Sequence, residues 1–111
     1  MPTLAINSIL TYSTSKARTQ VNSFDRSLSV QGMTSKQLIL GSGMSGSISL
    51  TSSSYLIVLC NEDCLTIALS NTSNQVISFF NCGFLSIVAN NLNSVTITNT
   101  DTHSKELTIY F

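Results

Sequence analysis

Isoleucine returns at every tenth position through the second half of the chain, at Ile57, Ile67, Ile77, Ile87 and Ile97. Asparagine keeps the same step between them, at Asn61, Asn71, Asn81 and Asn91. Around the isoleucines the apolar residues fall mostly two apart: Tyr55/Ile57/Leu59, Leu65/Ile67/Leu69, Ile77/Phe79, Leu85/Ile87 and Val95/Ile97. A period of two belongs to a strand with one buried face, because successive Cβ atoms alternate across a sheet. Asparagine tolerates left-handed backbone angles and bonds to its own main chain, so it marks turns. Strand and turn alternating at about ten residues predict an all-β sandwich or barrel. The beat begins earlier, with Leu28/Val30, Leu38/Leu40 and Ile48/Leu50, where Gly32, Gly41, Gly43 and Gly46 supply the turns. It ends on a strand, Leu107-Thr108-Ile109-Tyr110-Phe111. No stretch has apolar positions at helical spacing between a cap and a stop.

Residues 1–24 lack the beat and predict an N-terminal arm or edge strands, carrying Leu4, Ile6, Ile9 and Leu10, then a basic-tinged stretch through Lys16 and Arg18. Residues 25–111 predict the β-sandwich, within a single domain overall. Two architectures fit so even a repeat. Leu65-Thr66-Ile67 echoes Val95-Thr96-Ile97 thirty residues on, as stacked coils of a short β-solenoid would. A solenoid this short leaves open ends that need caps, and none is visible. Several strands are also apolar on both faces, with Leu56 and Val58 beside Ile57, Phe80 beside Phe79 and Val88 beside Ile87. The small antiparallel β-sandwich, jelly-roll-like, is the preferred expectation, with the solenoid as the alternative.

Composition changes the picture in one respect. Charged residues make up 9% of this 111-residue chain, against about 25% in typical soluble domains. None lies between Lys36 and Glu62, or between Asp63 and Asp101, and serine and threonine, about 30% of the chain, fill the gaps. The net charge is zero. A neutral, hydroxyl-rich exterior gives little repulsion between copies, and strand edges without Lys or Pro invite pairing. This points to a subunit covered by copies of itself or by a larger partner. The five basic residues form no stripe that would neutralise phosphates, so nucleic acid is not an expected partner. The longest apolar run, Tyr55-Leu56-Ile57-Val58-Leu59-Cys60, falls far short of a helical span of about 20 residues. No membrane partner is expected, nor a signal peptide, so the expected site of synthesis is the cytosol.

Candidate chemistry is sparse. Cys60 and Cys64 bracket Asn61-Glu62-Asp63, a plausible hairpin turn, so a disulfide between them is geometrically open. Free thiols suit a cytosolic product better, and Cys82 is left over in any case. Zinc would need a fourth ligand, and the single histidine, His103, sits in a polar segment. Glu62 and Asp63 lack the ordered acidic spacing of a calcium loop. His103 next to Asp101 and Ser104 makes no triad, since sequence neighbours on a turn do not converge. The five carboxylates show no paired spacing suited to glycoside hydrolysis. Gly41-Ser42-Gly43-Met44-Ser45-Gly46 has the glycine spacing of a dinucleotide loop, but no helix follows it. No catalytic residue, metal or cofactor is expected.

Where aromatics are adjacent, as at Phe79-Phe80 and Tyr110-Phe111, a strand sends them to opposite faces, and one of each pair lies outside a simple core. In length, composition and strand layout, the whole chain resembles the capsid decoration (staple or cement) proteins of short-tailed bacteriophages of the epsilon-fifteen type. The resemblance implies a jelly-roll-like domain on the outer surface of an icosahedral shell, clamping neighbouring major capsid protein subunits. The expected partners are therefore the major capsid protein and the chain itself as a homo-oligomer. The interface candidates are Leu4, Ile6, Ile9, Leu10 and Arg18 in the arm and Phe80, Phe84 and Phe111 beyond it. A carbohydrate-binding module or receptor-binding tip, using exposed aromatic, Asn and Thr side chains, is the competing expectation.

Overall fold

The computed structural model describes residues 3–13, 18–29 and 32–111, with residues 6–13 and 18–29 described by their backbone alone. The chain divides into two compact units, Met1–Gly32 and Met33–Phe111. In the first, β1 (Thr3–Ser13) and β2 (Arg18–Ser29) form an antiparallel two-stranded ribbon with an irregularity at Leu10/Thr11. Leu4, Ile6, Ile9 and Leu10 thus belong to one continuous strand. β2 runs unbroken through residues 24 and 25, and the first compact unit extends to Gly32.

The second unit holds eight strands: β3 (Ser35–Leu40), β4 (Ser45–Ser49), β5 (Tyr55–Cys60), β6 (Leu65–Asn71), β7 (Val76–Cys82), β8 (Phe84–Val88), β9 (Leu92–Asn99) and β10 (Lys105–Tyr110). They make two four-stranded antiparallel sheets, ordered β3-β10-β5-β8 and β4-β9-β6-β7. Consecutive strands mostly alternate between the sheets. The first strand pairs with the last and the second with the last but one, which is jelly-roll topology. Antiparallel pairing throughout excludes the solenoid, whose coils would stack in parallel.

The core lies between the sheets and follows the alternation. Leu65, Ile67 and Leu69 from β6, and Val95 and Ile97 from β9, face Leu56, Val58, Leu107 and Ile109 from the other sheet, all buried. One parity differs from the sequence reading. In β5 the core takes Leu56 and Val58, while Ile57 is half-buried and Leu59 exposed. A strand apolar on both faces leaves its orientation to its neighbours, and the pairing of Val58 opposite Ile109 sets it.

Asn71 and Asn91 stand at turns, whereas Asn81 lies inside β7. Asn71 Oδ1 accepts hydrogen bonds from the Ser73 and Gln75 amides, both at 3.0 Å, and shapes the β6–β7 turn. Asn81 takes a left-handed φ of 52° in a bulge where β7 advances three residues, Phe79 to Cys82, while β6 advances two, Ile67 to Leu65. Asn91 precedes β9, its carbonyl accepting from the Thr72 amide at 2.9 Å.

Candidate interaction surfaces

The outer faces of the two sheets differ in chemistry. On β4-β9-β6-β7 the outward residues fall into cross-strand rows: Ser45–Thr98–Thr66, Ser47–Thr96–Ala68–Ser78 and Ser49–Ser94–Ser70–Val76. Hydroxyls bond across the strands in each, Ser45 to Thr98 at 2.6 Å, Ser47 to Thr96 at 2.9 Å and Ser70 to Ser94 at 2.8 Å. This face has no ionised group. On β3-β10-β5-β8 the outward positions include Ile39, 75% exposed, and the directly opposed pair Leu59 and Phe84, with Phe84 63% exposed.

β7 is an exposed edge. It ends the β4-β9-β6-β7 sheet and reads Val-Ile-Ser-Phe-Phe-Asn-Cys, with no charge and no proline to discourage pairing. Val76, Ile77 and Phe80 are exposed, Phe80 to 71%. The adjacent Phe79 instead packs against the core, as the alternation predicts. Ile77 has inward parity opposite Leu69 and is nevertheless exposed, because the sheets gape beside it. There a cleft of about 620 Å³ opens beside β7, lined by Leu69, Ile77, Phe79 and Ile87 and by the amides of Asn90 and Asn91. No charged side chain lines it. An apolar hollow of this volume with a few amides in its lining is the usual form of a small-ligand site. Sequence reading did not find it, because it forms between strands whose separation the alternation cannot report.

Phe80 and Phe84 therefore stand exposed, whereas Phe111 is half-buried against the core, its amide and carbonyl bonded to Thr34 at 2.9 and 2.7 Å. Leu4 is half-buried. The side chains of Ile6, Ile9, Leu10 and Arg18 lie outside the described residues.

Lys105, Glu62 and Asp101 cluster at one pole of this unit. Lys105 Nζ, on a largely buried side chain, reaches Glu62 at 2.8 Å and Asp101 at 3.0 Å. These partners raise the Lys105 pKa well above its usual range. The Lys105 hydrogen bond, followed by the Thr102 amide, holds Asp101 below its ordinary value. Glu62 thus ties its turn to Lys105. Among the described residues no group of three metal-ligating side chains converges. His103 is exposed, with Nδ1 3.1 Å from the Thr102 hydroxyl. The three cysteines are free thiols and half-buried.

Compared with models of protein families and with curated protein sequences, the chain matches none. Among solved structures, the cupin domain of Schizosaccharomyces pombe Cnp3 aligns over 96% of this chain and 81% of that one, at 9% identity and a TM-score of 0.44.

Proposed function

We propose that this protein is a non-catalytic structural subunit of a virion, a jelly roll that decorates the outer surface of a bacteriophage capsid and staples neighbouring major capsid protein subunits. The observation that carries the reading is the β7 edge. An uncharged strand with Val76, Ile77 and Phe80 exposed is a surface that a stable protein keeps covered. Phe84 and Leu59 on the other sheet extend the apolar surface, and the hydroxyl rows beside β7 add polar contacts without charge. On a capsid lattice many copies meet many identical sites, so contacts that are weak singly combine. The major capsid protein and further copies of this chain are the partners in this reading, with no role for nucleic acid or membrane.

All eight jelly-roll strands lie within Met33–Phe111. Removal of residues 1–32 is therefore expected to leave a folded domain that no longer co-sediments with empty shells. Full occupancy by the truncated chain would remove the arm from the reading, and Phe80→Asp would then test the β7 edge alone.

A second reading, a carbohydrate-binding module or receptor-binding tip, is favoured by the uncharged cleft lined by Phe79, Asn90 and Asn91. It predicts glycan binding by the isolated chain that Phe79→Ala abolishes. A glycan array without hits, together with binding to shells, decides for the first reading.

A further inference from the structure

The turn Asn61-Glu62-Asp63 carries the chain from β5 in one sheet to β6 in the other, with Cys60 and Cys64 at its two ends. Both side chains pack against the core cluster, and the Cys60 thiol donates to Asn61 Oδ1 at 3.9 Å within the same turn. The backbone around them is fixed from several sides. The Cys60 amide donates to the Gly83 carbonyl at 2.8 Å, and the Thr100 amide and hydroxyl donate to the Cys64 carbonyl at 2.9 and 2.8 Å. Gly83 lies so close beneath the turn that a Cβ there would come within 2.6 Å of the Glu62 carbonyl and the Asp63 carboxylate. The two cysteines thus stand at the ends of a three-residue turn that has little room to shift.

Their access to solvent differs. Cys60 lines an open recess of about 410 Å³ together with Lys105, Glu106 and Ser104, whereas Cys64 does not. Burial pushes the Cys64 thiol up, and the neighbouring Cys60 adds to this, so Cys64 keeps its proton. Cys82 is engaged elsewhere, its thiol donating to the Phe84 carbonyl at 3.1 Å.

We propose that Cys60 and Cys64 are a site of reversible oxidative modification, a dithiol that a hydroperoxide converts into a disulfide stapling the two sheets at this pole. The peroxide enters the recess and the Cys60 sulfur attacks it. The O–O bond breaks, an S–O bond forms, and Cys60 becomes a sulfenic acid with release of water or alcohol. The Cys64 sulfur then displaces the hydroxyl group, which leaves as water with the Cys64 proton, and the S–S bond forms. Two electrons pass from the thiols to the peroxide, and two equivalents of a thiol reductant reverse the step.

Treating the reduced full-length chain with hydrogen peroxide tests this. The thiol count is expected to fall from three to one, with an intact mass lower by two hydrogens, no covalent dimer and full recovery in dithiothreitol. The thermal midpoint is expected to rise by roughly 5 °C, as a short closed loop allows. Cys82→Ser should still lose both of its remaining thiols. Cys64→Ser should stop at a sulfenic acid on Cys60 that dimedone labels, and Cys60→Ser should label roughly tenfold more slowly. Three thiols persisting, a bond that includes Cys82, or a bond between chains would overturn the assignment. If a serine variant fails to fold, the mass, thiol count and chymotryptic map of the unmodified chain decide alone.

Discussion

At the scale of the residue, the side chain most exposed to a test is Asn99. It is the fully buried polar side chain among the described residues. Its Nδ2 donates to the carbonyls of Leu40 at 2.9 Å, Gly41 at 3.3 Å and His103 at 2.8 Å, and its Oδ1 accepts from the Asp101 amide at 2.9 Å. One amide thus joins the ends of β3 and β9 and the loop before β10. Removing it leaves buried backbone groups without partners, each worth about 1–3 kcal/mol. Asn99→Leu is expected to lower stability by roughly 2–4 kcal/mol in urea unfolding, despite its greater apolarity. The signal was present in the sequence: continuing the inward set Val95 and Ile97 by two lands on Asn99. It was hidden by the reading of asparagine as a turn residue.

Lys105 is the converse case, since nothing in the sequence links it to Glu62. Its effect on stability is set by the direction of two shifts. Asp101 is held below its ordinary 3.8, so its contribution is complete above that value and is lost as pH falls through the lower folded value. Lys105 is held above its ordinary 10.5, so its contribution is complete below that value and is lost as pH rises through the higher folded one. Between these limits the pair adds a constant increment. Lys105→Met should therefore lower the thermal midpoint by a few degrees throughout the neutral range. It should also flatten the part of the acid decline that belongs to Asp101. Midpoints measured from about pH 3 to pH 9 for both chains check this, and parallel curves would assign the decline to other groups.

At the scale of the element, strands were legible and their faces only partly so. β6 and β9 alternate without ambiguity, and the structure buries the residues that the pattern selects. β5 is apolar on both sides, and there local sequence does not decide orientation. A central strand such as β5 resolves this by burying one set and half-covering the other. β7 is an edge strand and leaves Val76, Ile77 and Phe80 exposed. That difference has a consequence. Ser78 is exposed on the outer face of β7, opposite Ala68, and a lysine there places a charge on an otherwise neutral edge. Ser78→Lys should leave folding intact, since the site is at the surface, and weaken the proposed self-association by about tenfold. Sedimentation velocity over a range of concentrations reads this. Unchanged association would move the contact to another edge or face.

At the scale of the molecule, the sandwich was legible from strand number and spacing, but the strand order was not. The pairings that define the jelly roll join β3 to β10 and β4 to β9 across most of the domain, and no local pattern encodes such separations. The low charge content, in contrast, is a whole-chain property that carried through to the structure. The Lys105, Glu62 and Asp101 cluster consumes its charges at one pole, while the hydroxyl face and the β7 edge hold none. Association through those surfaces has no Coulombic attraction for salt to screen. Raising sodium chloride from about 0.05 to 1 M shortens the Debye length from roughly 14 to 3 Å, which would dissociate a contact built on ion pairs. Here the association constant should change by less than about threefold over that range, and sulfate should strengthen it by promoting apolar burial. A steep fall with sodium chloride would place the interface on Lys36, Glu106 or the arm's basic residues in place of β7, and the proposed stapling contact would have to be sought there.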